Sequence, residues 1–155
     1  LSGGSAPNIY YQDLTSSVDG QYRSPWEGTS TPGGQFNSIS AGVTATYLFD
    51  WVQSSLSFMW GSPDSYNVIK FYNGDEFAGS FTGANVYTPN GPAPAGLGFA
   101  NVTFTGAFDK FTMTSVGQNA FEYAKLEVPE PGSLALLGLA LAGLATTSRR
   151  KQKQA

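Results

Sequence analysis

The 155-residue sequence contains no cysteine and no histidine. These absences exclude disulfide bonds, cysteine nucleophiles, Ser-His-Asp triads and the common zinc sites. Charged residues make up only 12% of the chain, and residues 1–128 hold ten acids against four bases. An acidic surface disfavours nucleic-acid binding, because a phosphate backbone is bound by a basic face. We therefore expect no nucleic-acid partner.

Aromatic residues are absent after residue 128, although the chain contains 22 of them. Together with the Gly, Ser and Pro content of the first 40 residues, this change divides the sequence into three parts. Residues 1–40 form an N-terminal segment rich in Gly, Ser and Pro, with edge strands expected around Tyr10 and Phe36. Residues 41–127 form the core of a globular domain, and residues 128–155 form a C-terminal segment of different character.

The globular part alternates apolar and polar residues, which is the pattern of half-buried strands. Turn residues such as Ser62-Pro63-Asp64-Ser65 separate the runs. The pattern predicts an all-β fold, an antiparallel β-sandwich of the jelly-roll kind. Residues 82–98 contain three prolines and are predicted to form a long loop. The predicted strands lie near residues 43–51, 54–60, 66–72, 76–81, 99–105, 108–116 and 119–127.

Carboxylates are the remaining source of catalytic or metal-binding chemistry. A glycosidase needs only two acids, and the candidates are Asp50, Asp64, Asp75, Glu76, Asp109 and Glu122. The favoured interpretation is that these are solvated acids of turns and edges. Oxygen ligands also cluster in a weak candidate calcium site, made of Asp64, Asn67, Asn73 and Asp75, but no calcium-loop spacing is present. No cofactor is predicted.

Several aromatic residues are candidates for stacking on sugars, namely Trp26, Trp51, Trp60, Tyr66, Tyr72 and Tyr87. The alternation around Trp51 and Trp60 favours core packing for these two. Trp26 and Tyr87 lie in loop-like sequence and are the better candidates for binding an extracellular polysaccharide. Paired threonines are typical of ice-binding surfaces, but no repeat supports a solenoid. These pairs are Thr44/Thr46, Thr103/Thr105 and Thr112/Thr114.

The C-terminal segment has three parts in order. Val128-Pro129-Glu130-Pro131 is followed by a run without charge up to Ser148 and then by the bases Arg149, Arg150, Lys151 and Lys153. A helix over residues 132–147 would span roughly 24 Å, against a hydrocarbon core of ~30 Å. We predict that this helix crosses a membrane, because the flanking bases can snorkel and the bilayer can thin to match its length. The bases favour a cytoplasmic C-terminus, with residues 1–128 on the other side.

This arrangement closely resembles the PEP-CTERM sorting signal of Gram-negative and related bacteria. The resemblance implies recognition by exosortase, a membrane-embedded, cysteine-dependent transpeptidase or protease, and then release or attachment at the cell surface. The two prolines also keep Val128–Pro131 extended and accessible, and Glu130 supplies the single charge of that segment.

The globular part resembles exosortase-dependent surface proteins that have a jelly-roll-like ectodomain. The resemblance rests on LSFMWGSPDSYNVIKFYNG, GSFTG and FANVTFTGAFDKFTMTSVGQNAFEYAKLEV. Those proteins commonly continue the last strand as Phe-Glu-x-Asp-Asn, whereas here Phe121-Glu122-Tyr123 is followed by Ala124-Lys125. The resemblance implies no catalytic activity.

Together these features predict a non-enzymatic surface or biofilm-matrix protein, anchored in the inner membrane before processing. Export requires a secretory signal peptide upstream of Leu1. A carbohydrate-binding module on the same anchor is the alternative, an extracellular glycoside hydrolase comes third, and an ice-binding protein is a remote fourth.

Overall fold

A computed structural model describes residues 10–88, 91–92 and 98–129 of the chain. Seven of its strands form one antiparallel sheet in the order β1-β2-β9-β3-β8-β4-β5, and β6 pairs with β7 separately. The all-β prediction is confirmed. The strands are β1 (Tyr10–Leu14), β2 (Phe36–Ile39), β3 (Thr44–Gly61), β4 (Asn67–Asn73), β5 (Glu76–Thr82), β6 (Tyr87–Thr88), β7 (Gly91–Pro92), β8 (Phe99–Ser115) and β9 (Phe121–Glu127).

Two long strands, β3 and β8, run through the whole sheet. The sequence predicted each of them as two shorter strands, and this division is wrong, because the ladder continues through irregularities between Leu48 and Ser55. The first part of β3 pairs with residues 110–114 of β8, and its second part pairs with residues 99–105. Bulges of this kind bend a strand without ending it.

The bends divide the sheet into two halves that pack face to face. The first half contains β4, β5 and the adjoining parts of β3 and β8, and the second half contains β1, β2, β9 and the remaining parts. Tyr47 of the first half meets Tyr123 of the second, with ring centroids 6.5 Å apart, and Phe71 meets Phe104 at 5.4 Å. The core is thus sandwich-like, but one folded seven-stranded sheet forms it, where an antiparallel β-sandwich of the jelly-roll kind had been predicted.

A second, smaller core covers the outer face of the second half. It consists of the buried residues Trp26, Phe36, Met59 and Ala124. In the sequence, Met59 takes the place of a polar residue in the alternation that Ser55 and Ser57 begin. It is apolar because the segment before β2 lies over this face and removes it from water.

The fold has two ends, an exit end and a distal end. At the exit end lie the bends of β3 and β8 and the β4–β5 turn, where Gly74 N donates to both carboxylate oxygens of Asp109 at 2.9 Å. β9 also points toward this end, because Glu127 lies opposite Ser57 and Glu122 opposite Gly61. At the distal end the loops after β3 and β8 meet, with Val116 N donating to Tyr66 O at 2.9 Å.

The segment predicted as a long loop, residues 82–98, is described only in part. It contains a 3-10 turn at Gly83–Asn85 and the two-residue ladder of β6 and β7. Among the residues that the structure describes, no helix is long and apolar enough to cross a membrane. The predicted helix over 132–147 lies outside them, as do Glu130, Pro131, Arg149, Arg150, Lys151 and Lys153.

Candidate functional site

The tripartite C-terminal segment begins where the last strand ends. β9 ends at Glu127, Val128 packs partly buried against the main core, and Pro129 is exposed. Lys125 has a φ of 52° and stands at a register shift between β9 and β3, which absorbs one extra residue just before the strand ends. There is no spacer between the fold and the segment, so an enzyme that binds Val128–Pro131 must approach the domain closely.

A polar cleft of about 490 Å³ opens at the distal end, between the segment before β2 and the loops around β4 and β9. Two of the six candidate acids, Asp64 and Glu122, line it together. The sequence had not singled out the other polar side chains of the cleft. They are Ser17, Asp19, Gln21, Arg23, Glu27, Ser62 and Asn119.

Glu122 is the buried acid of the cleft, with 4% of its surface exposed. Burial raises the pKa of its carboxyl group to about 7, and the negative charge of Asp64 adds to the rise, against hydrogen bonding that favours the ionised form. One of these hydrogen bonds comes from Arg23 N, 2.9 Å from Glu122 Oε1. A Cβ at Gly61 would lie 3.0 Å from the Cβ of Glu122 and 2.9 Å from Pro25 Cγ, so this close approach requires glycine.

Asp64 also lines the cleft. The hydroxyl of Tyr66 lies 2.8 Å from Asp64 Oδ2 and 3.1 Å from Asn119 O, and both atoms accept from it. Burial, and then the neighbouring Asp64 carboxylate, raise the pKa of Tyr66. The Arg23 guanidinium lies 3.5 Å from the carboxylate of Glu27. The cleft therefore presents carboxylates, amides and a guanidinium, which are the groups that bind hydroxyl-rich ligands.

Among the described residues, the aromatic candidates for stacking on sugars do not form one platform. Trp26 is 6% exposed and packs edge to face on Phe36 at 6.4 Å, so it offers no ring to a sugar. Trp60 is fully buried as predicted, but Trp51 is 52% exposed, and its prediction as a core residue is wrong. The side chain of Tyr87 lies outside the described part of the chain.

The predicted calcium ligands are separated by the length of a strand. Asp64 and Asn67 lie at the start of β4, and Asn73 and Asp75 lie at its end, about 20 Å away at ~3.3 Å per residue. Asn67 is buried, and it accepts from the Ser115 hydroxyl at 3.2 Å. Within residues 10–88, 91–92 and 98–129, no three acidic side chains are grouped to hold a metal ion.

The threonine pairs also fall into two groups. Thr44 lies opposite Thr114, and Thr46 opposite Thr112, all in the first half of the sheet. Thr103 and Thr105 lie in the second half, where Thr103 Oγ1 is 2.9 Å from the Ser57 hydroxyl. No single face therefore combines the three pairs.

Comparison with known proteins adds one finding. No curated protein and no solved structure gives a significant match to the chain. A protein-family model, that of the PEP-CTERM protein-sorting motif, matches residues 127–151. This motif implies export, sorting at a membrane and processing by exosortase. The resemblance of the C-terminal segment to the PEP-CTERM sorting signal is thus confirmed. The protein carries a PEP-CTERM protein-sorting motif, which begins where the last strand ends.

Proposed function

We propose that this protein is a non-enzymatic component of the cell surface or extracellular matrix. It enters the inner membrane through residues 132–147, with Arg149, Arg150, Lys151 and Lys153 on the cytoplasmic side. Exosortase then processes it at the motif, and the β domain is released or attached outside.

The observation that carries this proposal is the position of the motif relative to the fold. The last sheet strand, β9, lies between β2 and β3 and ends at Glu127, the first residue of the match. A cut within or beyond Val128–Pro131 therefore removes no strand of the seven-stranded sheet. The domain keeps its core when the tail is lost, as a sorted surface protein requires.

Topology and processing can be tested together in the producing bacterium. A reporter active only in the cytoplasm is fused after Ala155, and the mass of the β domain is measured in membrane and outer fractions. We expect cytoplasmic reporter activity before processing and an outer species that lacks the C-terminal segment. A strain without exosortase should keep the full chain in the membrane. Full-length chain in the outer fraction of that strain would contradict the proposal.

The distal cleft favours a second candidate function, the binding of an extracellular polysaccharide. It is open, polar and lined by Asp64, Glu122 and Tyr66, and carboxylates are common acceptors for sugar hydroxyl groups. The cleft lies at the distal end, whereas β9 points toward the exit end, so a polymer could reach the cleft while the chain is anchored.

A polysaccharide pull-down with the full chain in detergent tests this second function. Asp64→Asn should weaken binding, whereas Asp75→Asn, in the β4–β5 turn at the exit end, should leave it unchanged. Equal binding by both variants, or no binding to any polymer, would contradict polysaccharide binding by the cleft. Release of shorter sugars by the wild-type protein would instead support the hydrolase alternative.

A further inference from the structure

An apolar surface lies at the exit end of the fold. Leu48, Lys110, Tyr72 and Phe77 form one row across β3, β8, β4 and β5, because each lies opposite the next in the register. Trp51 and Val52 follow at the bend of β3. We call these six residues the apolar tip. Leu48, Trp51, Val52 and Phe77 are each more than half exposed, at 53%, 52%, 54% and 60%.

The composition of the apolar tip is that of a membrane interface. Lys110 Nζ lies 4.6 Å from the centre of the Tyr72 ring, and the rings of Tyr72 and Phe77 are 5.9 Å apart. Tryptophan and tyrosine concentrate where hydrocarbon meets headgroups, and a lysine can rest its apolar stem there while its ammonium group stays in water. Exposed apolar residues that are contiguous mark an interaction site more often than scattered ones do.

The sequence indicates what covers the apolar tip. β9 points toward the exit end, and only four residue steps separate Val128 from Gly132, where the apolar run begins. Four steps reach at most roughly 14 Å, about the radius of gyration of a domain of this size. A domain on so short a tether keeps its exit end against the membrane. We propose that the apolar tip inserts into the outward-facing interface of the inner membrane and holds the domain end-on. This inference rests on the proposed membrane insertion of residues 132–147.

The charges around the apolar tip indicate whether its contact with the membrane is electrostatic or apolar. Asp50, Asp75, Glu76 and Asp109 lie at the same end, and Lys110 is the cation within the row. A net negative end is not attracted to anionic headgroups. Insertion therefore depends on apolar contact, and it should persist in vesicles of zwitterionic phosphatidylcholine and in high salt.

Tryptophan fluorescence can detect the insertion in the intact chain. Of the three tryptophans, Trp26 and Trp60 are buried and only Trp51 is exposed. The full chain is reconstituted into phosphatidylcholine vesicles that carry bromine at the upper acyl positions. We expect the Trp51 emission to shift to the blue and to lose most of its intensity, and Trp51→Phe should abolish both changes.

A matched pair of positions controls for proximity alone. Val52 and Val116 are each 54% exposed, but Val116 lies at the distal end. In the Trp51→Phe background, brominated lipid should quench the fluorescence of Val52→Trp and should not quench that of Val116→Trp. Equal quenching at the two positions, or none at either in vesicles that retain the chain, would overturn the inference. A blue shift of Trp51 without quenching would do so too, because it would indicate a second copy of the chain as the occupant.

Vesicle flotation separates this result from the proposed function. If the chain does not float with the vesicles, the membrane insertion of residues 132–147 is wrong, and the inference fails with it. If the chain floats but the fluorescence of Val52→Trp stays unquenched, insertion of the tail stands and only the contact of the apolar tip is refuted.

Discussion

Replacing Glu122 by glutamine removes its charge and keeps its shape. Burial raises the pKa of this carboxyl group from 4.5 to about 7. The difference of about 2.5 corresponds to roughly 3 kcal/mol, at ~1.4 kcal/mol for each pH unit. Because the folded state holds the proton more tightly than the unfolded state, this stabilisation is complete below pH 4.5 and is lost as the pH rises to about 7.

The measurement is urea denaturation of wild type and Glu122→Gln over a series of pH values. We expect the difference in free energy of unfolding to change by about 3 kcal/mol in favour of the variant between pH 4.5 and 7, and to be constant above. The acids that do not interact with Glu122 are common to both proteins and cancel in the difference. The chain has no histidine, so no imidazole contributes. A difference that does not depend on pH would refute the assignment of a raised pKa to Glu122.

Asp64→Asn tests the cause of the raised pKa. Burial is the largest contribution and the charge of Asp64 a smaller one, so most of the pH dependence should survive this substitution. If Asp64→Asn abolishes the pH dependence, repulsion between the two carboxylates is the dominant cause and desolvation is not.

Three further experiments test the packing and the topology. Gly83→Ala would place a Cβ against backbone atoms of Pro63 and Asp64, and denaturation should show a loss of about 2 kcal/mol or more, whereas Gly79→Ala, with open space around it, should cost little. Tyr123→Phe removes one hydroxyl from the buried contacts of Tyr123 with Tyr10 and Tyr47; it should cost about 1 kcal/mol in the same assay, because Tyr10 and Tyr47 still bond each other. Exchanging Arg149, Arg150, Lys151 and Lys153 for glutamate should expose a reporter fused after Ala155 to the outside of the inner membrane, and a reporter that stays cytoplasmic would contradict the role of the bases.

The alternation of apolar residues predicted most strands and the burial of Trp60, because one face of each strand meets the core. The same rule failed at Trp51, since the irregularity between Leu48 and Gln53 shifts the parity of the strand. The continuity of β3 was not predictable from the sequence, because Gln53-Ser54-Ser55 has the composition of a turn. In the structure Gln53 is 4% exposed, and its side chain donates to Trp51 O at 3.1 Å.

The distal cleft was the least predictable feature, because residues far apart in the sequence form it. Of the cleft residues, Glu122 alone carried a local signal of burial, because it is a charged residue between Phe121 and Tyr123 in a predicted strand. Its burial depends on the segment around Arg23 and Pro25, which alternation does not place on the sheet. Burial of Trp26 depends in the same way on Met59, across the outer face of the second half. The sorting motif, in contrast, was recognisable because its three parts are consecutive in the sequence.

The central claim is that the motif is read by a processing enzyme and is not a linker. Its most direct test is the intact mass of Glu130→Ala in cells, compared with Glu127→Ala, a control that leaves Pro-Glu-Pro unchanged. Glu130→Ala keeps both prolines, the apolar run and the bases, so it should insert normally and accumulate in the membrane at full length. Wild type and Glu127→Ala should lose about 25 residues, roughly 2.5 kDa of the 16.4 kDa chain, and move outward. Maturation of Glu130→Ala at the wild-type rate would contradict the claim and leave the triplet as a linker.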